Sequence, residues 1–328
     1  MKIKVITLLG AAGLAVLACC WWWRGPSGRP AGQVATAPAP VAPPVASQAP
    51  PAPGQTLSRV PPPLDLAAVP TRVRPVVDVR QEFWSRLAVV HGLGKDLKPG
   101  ELSSLYDFLR IPETGDQKVR GGEHVLKNDL LDVLRQQADP PAELARLLIE
   151  LSRDPAQDRV MRAYALQHIQ LWYSQLADQN SPGTVPEPER AEMRQAFWDA
   201  LKDPDPTVTG TALLNLHRLS EAHAEFDPEQ IAATALKFSQ DDSCGPLARS
   251  TALQVCAERK LEQALPAVLA LARGADSIPL QISAIAALGN LGGPSEVRLL
   301  EQLAAGENER LQGPARRALK QMQLRRVN

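Results

Sequence analysis

From residue 78 to the C-terminus, apolar residues recur three and four positions apart, and no stretch alternates with period two. The pattern predicts helices and no strand. Residues 78–94 (DVRQEFWSRLAVVHGLG) place Phe83, Trp84, Leu87, Val90 and His91 at helical spacing, with Asp78 as N-cap and Gly92 or Gly94 as the stop. Residues 101–110 set Leu102, Leu105, Tyr106 and Leu109 on one stripe. A polar loop containing Gly115, Gly121 and Gly122 is expected next. It leads to a helix over 123–137 built on Val125, Leu126, Leu130, Val133 and Leu134.

Beyond residue 139 the helices repeat. VMRAYALQHIQLW, TVTGTALLNLHRL, LARSTALQVCAER, PLQISAIAALGNL and PARRALKQM share an apolar residue, an Ala four positions on, then an aliphatic residue. The aligned alanines are Ala165, Ala212, Ala252, Ala284 and Ala318. Between these segments lie partner helices at 143–154, 191–203, 228–241, 261–274 and 295–307. Each unit is helix, turn, helix, and several turns carry Asp and Pro, the residues that start helices.

These segments resemble HEAT-type repeats, in particular the short HEAT-like repeats of many bacterial proteins. The match is fullest at residues 279–293, where Leu280, Ala284, Ile285, Ala287, Leu288, Gly289, Leu291 and Gly292 fit the second-helix pattern. The Arg that usually follows the first apolar residue is present as Arg162 and Arg249 but is Thr209 and Gln281 elsewhere. Polar ladders between units are therefore expected to be incomplete. The resemblance covers about residues 140–328. It implies an all-α fold, a right-handed α-solenoid in which units stack because none buries its own apolar face. It says almost nothing about activity. The less regular helices at 78–139 are expected to cap the N-terminal end.

The first 77 residues have another character. After MKIK, an uncharged apolar run spans residues 5–23 and ends on Trp21, Trp22 and Trp23 before Arg24. As a helix it would rise roughly 28 Å, about the thickness of a bilayer's hydrocarbon core, with the indoles at the interface. Residues 1–23 thus read as a signal-anchor helix. They also resemble a bacterial lipoprotein signal, in which Cys19 would be the lipidated residue. On either reading the chain is a membrane-anchored bacterial protein whose soluble part faces the periplasm or the cell exterior. Residues 24–77 hold 14 of the 30 prolines and are expected to form a disordered Pro/Ala-rich linker.

Charge sharpens this division. The chain as a whole is neutral, with 36 basic and 36 acidic residues, but residues 1–75 contain seven Lys or Arg and one acid, Asp65. The repeats are correspondingly acidic, which argues against a nucleic-acid partner. Candidate chemistry is sparse. The five His, at 91, 124, 168, 217 and 223, form no metal-ligand spacing, and no nucleophile elbow, phosphate loop or dinucleotide fingerprint occurs. His217 and His223 read as solvent-facing or capping residues, and His168 as a packing partner of Trp172. Asp203/Asp205 and Asp241/Asp242 read as caps, and Trp172, Tyr173, Phe197 and Trp198 as core filling with a binding surface as the alternative.

The sequence thus points to a non-catalytic, membrane-tethered scaffold for a protein or peptide partner, with no cofactor and no metal. Two alternatives stand beside it: a structural envelope or wall-binding element, and a lyase-like or enzyme-accessory HEAT protein. In the resembled family the second helices line the concave side. Their outward positions include Tyr164, Gln167, Leu171, Thr211, Leu214, Arg218, Thr251, Gln254 and Glu258. Tyr164, Gln167 and Arg218 are the candidate partner-binding residues, because aromatic and Arg side chains anchor interfaces.

Overall fold

A computed structural model describes residues 64–137, 142–176 and 185–327. Those residues form fourteen α-helices and three short 3-10 turns, with no strand among them. The helices are α1 (Arg74–Val77), α2 (Phe83–Gly92), α3 (Pro99–Arg110), α4 (Gln117–Arg135), α5 (Ala142–Arg153), α6 (Arg159–Leu176) and α7 (Glu187–Ala200). They continue as α8 (Pro206–Ser220), α9 (Pro228–Gln240), α10 (Gly245–Glu258), α11 (Leu265–Arg273), α12 (Ile278–Leu291), α13 (Val297–Ala305) and α14 (Glu309–Val327).

The helices start where the sequence supplies start chemistry. The side chains of Asp116, Asp205 and Asp227 accept backbone N–H bonds at the heads of α4, α8 and α9. Proline occupies the first turn of α3 and of every helix from α7 to α12.

The even-numbered helices stack in chain order, each on the next, from α2 to α14. The odd-numbered helices form a second, looser layer, in which α5 packs on α7 but α7 and α9 hardly touch. A tight layer beside a splayed one curves the stack, with the even helices on the inner side. Small residues allow the tight approach. All five aligned alanines are buried. A Cβ on Gly289 would lie 3.1 Å from the Ala318 Cα, and one on Gly210 would lie 3.0 Å from the Thr251 Oγ1. Leu and Ile fill the space between layers, so one hydrophobic core runs from Val69 to Met322.

Several expectations need correction. The folded unit begins before residue 78: Val69, Val73, Val76 and Val77 are buried, and Leu64 and Leu66 pack on the core, so the last part of the expected linker belongs to the fold. The Val spacing carries helical information that the surrounding prolines hide. Asp78 ends α1 rather than starting a helix, and its carboxylate accepts three hydrogen bonds from Arg80, two from the guanidinium and one from the backbone N–H. Gly121 and Gly122 lie inside α4, where Gly122 lets Phe83 pack at 3.4 Å from the site of a Cβ. Trp84, Val125 and His91 face outward. Helices α1–α4 follow the odd–even alternation only in part: α1 packs on α2 and α2 on α4, but α3 and α4 do not pair closely as the later units do. The expected incompleteness of the polar ladder has a specific form. Arg162 bonds both the Ser152 carbonyl in its own unit and Asp203 in the next. Arg249 pairs with Asp242 within its own unit. Thr209 and Gln281 bond only to the Asp203 and Ala272 carbonyls of their own units.

Among the described residues no helix is long and apolar enough to cross a membrane. The apolar run at 5–23 and Cys19 lie outside the described residues, as does the linker up to residue 63.

Cys244 and Cys256 are both free thiols, separated by most of α10, so about 16 Å of helix rise keeps them from bridging. Cys256 is buried, and burial pushes its thiol pKa up to about 11. Native alkylation near pH 8 is expected to label the Cys244 peptide and spare the Cys256 peptide until denaturant is added. Equal labelling rates in peptide mass mapping would mean that α10 does not cover Cys256.

Candidate functional site

The inner face is built by the even helices. Ala and Leu positions on each helix face the odd layer and the neighbouring even helix, which leaves a third set at the surface. Tyr164 and Gln167 on α6, Thr211, Leu214 and Arg218 on α8, and Thr251 and Gln254 on α10 are all partly exposed, and Leu171 is more so. These side chains therefore reach solvent in part.

Its electrostatics are local and mixed. Tyr164 lies near Asp129 of α4, and burial together with that carboxylate raises its phenol pKa. Asp129 also meets His91 Nε2 at 2.7 Å. Burial lowers the pKa of the Arg218 guanidinium, while the carboxylates of Glu258 and Glu221 counteract this. Glu258 in turn accepts from Gln254 and lies 2.8 Å from His217 Nε2. Tyr164 and Arg218 do not share a rung. Arg162 meets Asp203 before α8, whereas Tyr173 meets His223 after it. Arg218 sits on the level of Leu171, about 10 Å along the axis from the level of Tyr164. A partner that uses both must be extended across two helices.

The histidines are placed differently from expectation. His217 and His223 are buried, not solvent-facing. His223 stacks edge-on against Tyr173 and Phe226, and burial lowers its pKa. His168 is buried with Trp172, as the spacing predicts. Among the described residues no group of three His, Cys, Asp or Glu could hold a metal ion. The carboxylates at Asp203, Asp205 and Asp241 accept local backbone N–H bonds, which accounts for them as caps.

Two further features escaped the sequence. The first is a buried ionic cluster beneath α3. Glu113, in the α3–α4 loop, and Lys127 on α4 pair at 2.7 Å with both side chains buried, and the Lys127 ammonium stands 5.4 Å over the Phe108 ring. Lys127 also donates to the Leu109 and Ile111 carbonyls. Arg86, likewise buried, forms a two-pronged pair with Glu123 and bonds the Val76 carbonyl. The cluster ties α2, α3 and α4 together. The signal that could have found it is a charged residue, Lys127, one position after Leu126 on an otherwise apolar stripe.

The second is a groove on the outer side, between α7 and α9. It is open to solvent, has a volume of about 540 Å³, and is lined by Gln195, Trp198, Leu201, Lys202, Gln230, Thr234, Lys237 and Phe238. Of the four aromatic residues singled out in this region, Trp172, Tyr173 and Phe197 fill the core, and Trp198 lines the groove.

No protein-family model matches the chain, and no curated protein matches it. Solved structures give distant likenesses. A designed armadillo repeat protein aligns at 18% identity and a TM-score of 0.35, covering 68% of this chain and all of its own. Human deoxyhypusine hydroxylase, in complex with glycerol, aligns at 17% identity and a TM-score of 0.29, covering 79% of this chain and 97% of the other. A chain from the structure of Kap95p bound to RanGDP aligns at 12% identity and a TM-score of 0.38, covering 76% of this chain and 41% of the other.

Proposed function

We propose that the folded chain is a non-catalytic interaction scaffold that holds a protein or peptide partner along its inner face. We further propose that the segment before residue 24 tethers it at a bacterial membrane, with the solenoid on the periplasmic or outer side. The observation that carries the first reading is the row of partly exposed side chains running over α6, α8 and α10. A solenoid places such a row on a continuous curved surface, which suits an extended partner. The row is mixed in charge, so it favours peptide over nucleic acid. The tether rests on the sequence at 1–23 alone.

The test is site-specific photocrosslinking in the envelope of full-length chains carrying the crosslinker at Gln167 or Gln254, with exposed Glu301 on α13 as the outer control. A shared adduct from the two inner positions and none from Glu301 is expected. Replacing Tyr164 and Arg218 together by Ala should then cut adduct yield at least about tenfold, as loss of two interface anchors does. The melting midpoint should move by only a few degrees. Adducts from Glu301 alone would place the working surface on the other side of the stack. N-terminal mass analysis of the mature chain addresses the tether. A start at Met1 or Lys2 fits the helix anchor, a lipidated start at Cys19 fits the lipoprotein, and a start beyond Trp23 refutes both.

A further inference from the structure

We propose that the groove between α7 and α9 is a second binding site, which takes a short peptide bearing a carboxylate next to a large apolar side chain. The residues that line the groove form one face of each helix. On α7 and just after it, Gln195, Trp198, Leu201 and Lys202 fall at helical spacing, and Gln230, Thr234, Lys237 and Phe238 do the same on α9. The volume is in the range of sites for small ligands and short peptides.

The groove has a direction. Both helices are odd-numbered members of the stack. Gln195 and Gln230 lie toward one end, Trp198 and Thr234 in the middle, and Leu201, Lys202, Lys237 and Phe238 toward the other. The Gln230 amide can bond a peptide backbone, and Gln195, whose amide nitrogen already donates to Asp199 at 2.8 Å, keeps its carbonyl oxygen for one; an aromatic and aliphatic floor and two ammonium groups follow. Trp198, Leu201 and Phe238 pack on the core from outside, so the floor is fixed before anything binds.

The charges single out this groove. Lys237 sits in the last turn of α9, where the helix dipole alone would favour a cation. That does not account for the pairing pattern around it. Residues 177–250 hold thirteen acids and six basic residues. Among those six, Arg190 and Arg194 pair with Glu187, Arg249 pairs with Asp242, and Arg218 is engaged on the inner face. Lys202 and Lys237 form no ion pair among the described residues. Asp241 is near enough to feel Lys237, but its carboxylate bonds Ser243 instead. In a region rich in carboxylates, these two cations converge on one aromatic groove, and no acid lines it.

The same pattern selects the occupant. The chain's own Pro-rich stretch at 24–63 carries Arg24, Arg29 and Arg59 and no acid, so it has the wrong sign for two lysines. A nucleic-acid strand could stack on Trp198, but two cations inside an acidic stretch would not hold a phosphate backbone. One or two carboxylates beside Leu or Phe meet both the lysines and the floor.

The experiment uses full-length protein in detergent micelles and fluorescence anisotropy of a labelled peptide with the core Asp-Glu-Leu-Phe. Saturable binding is expected, weakening as salt rises. Lys202→Glu with Lys237→Glu should weaken it at least about tenfold, which is about 1.4 kcal/mol. Both lysines are exposed, so the fold should survive, and an unchanged melting midpoint checks that it does. A peptide with the core Lys-Lys-Leu-Phe should fail on the natural chain and gain affinity for the double variant. Trp198→Ala should lose binding of both peptides. Equal binding of the acidic peptide to the natural and doubly substituted chains overturns the proposal. So does tighter binding of oligothymidylate, or competition by a peptide of residues 35–63. The inner-face crosslinks from Gln167 do not depend on these lysines, so failure here leaves that reading standing.

Discussion

Replacing Glu113 by Ala is expected to destabilise the folded chain by about 3–5 kcal/mol, the cost of leaving a buried charge without its partner. The Glu113 side chain has no solvent exposure and that of Lys127 only 2%, and the two meet at 2.7 Å. Burial pushes the Lys127 ammonium pKa down, and the Glu113 carboxylate is the first influence opposing it. Removing Glu113 leaves the ammonium with two backbone carbonyls and the Phe108 face, which cannot replace a full countercharge. His124 Nε2, 3.7 Å from the same carboxylate, loses a neighbour as well. In a chain of this size the melting midpoint should fall by about 10 °C. Glu113→Leu combined with Lys127→Met removes both charges and keeps the volume. It should recover stability to within about 1–2 kcal/mol of the natural chain, because a buried ion pair contributes little beyond an apolar pair. A loss below about 1 kcal/mol in the single variant would mean that water reaches the pair. A double variant as unstable as the single one would mean that the cluster is needed for packing rather than for charge balance.

Acidification should cost about 3 kcal/mol between pH 6.5 and pH 4 through His168 alone. Its imidazole is 3% exposed, with Nε2 3.2 Å from the Asn128 Oδ1. Burial is the main influence and takes its pKa down to about 4 from the usual 6.5, while Asp132 pulls upward and Arg135 pushes downward. The folded state therefore keeps His168 neutral at pH values where the unfolded chain is protonated. Between the two pKa values the unfolded chain binds more protons, so stability rises with pH there and falls as pH is lowered. The contribution is complete above 6.5 and is lost progressively toward 4, where it levels off. Other groups titrate in this range, so the measurement is the difference between the natural chain and His168→Gln in denaturant titrations at several pH values. That difference should be constant above pH 6.5 and shift by about 3 kcal/mol in favour of the variant by pH 4. A difference that does not depend on pH would show that the imidazole is hydrated in the folded state.

The two effects differ in how far the sequence foretold them: His168 beside Trp172 reads as a packing residue, whereas nothing in the sequence marks Lys127 and Glu113 as partners. Lys127 lies on a helix that the apolar spacing locates. Spacing does not say whether a polar residue on a stripe turns out to water or in to a partner. Glu113 sits in the loop between α3 and α4, and its meeting with Lys127 depends on how those two helices dock.

The groove was illegible for a related reason. Trp198 and Phe238 are forty residues apart; Trp198 has a binding surface as its second reading, but Phe238 reads as one more apolar residue on its own helix. Only the failure of α7 and α9 to close on each other turns the pair into a lined site. The opposite holds for the aligned alanines. Each repeats within a local pattern, and each is buried as that pattern requires.

From α5 onward the sequence by itself determined the helices, most of their start signals and the stacking of small residues, because these follow from periodicity and capping within a few turns of chain. It also separated a basic, Pro-rich N-terminal part from an acidic repeat region. The tertiary structure decided where the folded unit begins, that His217 and His223 turn inward, which charges pair beneath α3, and where the outer layer opens. Those outcomes depend on contacts between residues far apart in the chain, and burial sets their energies only once the helices have packed.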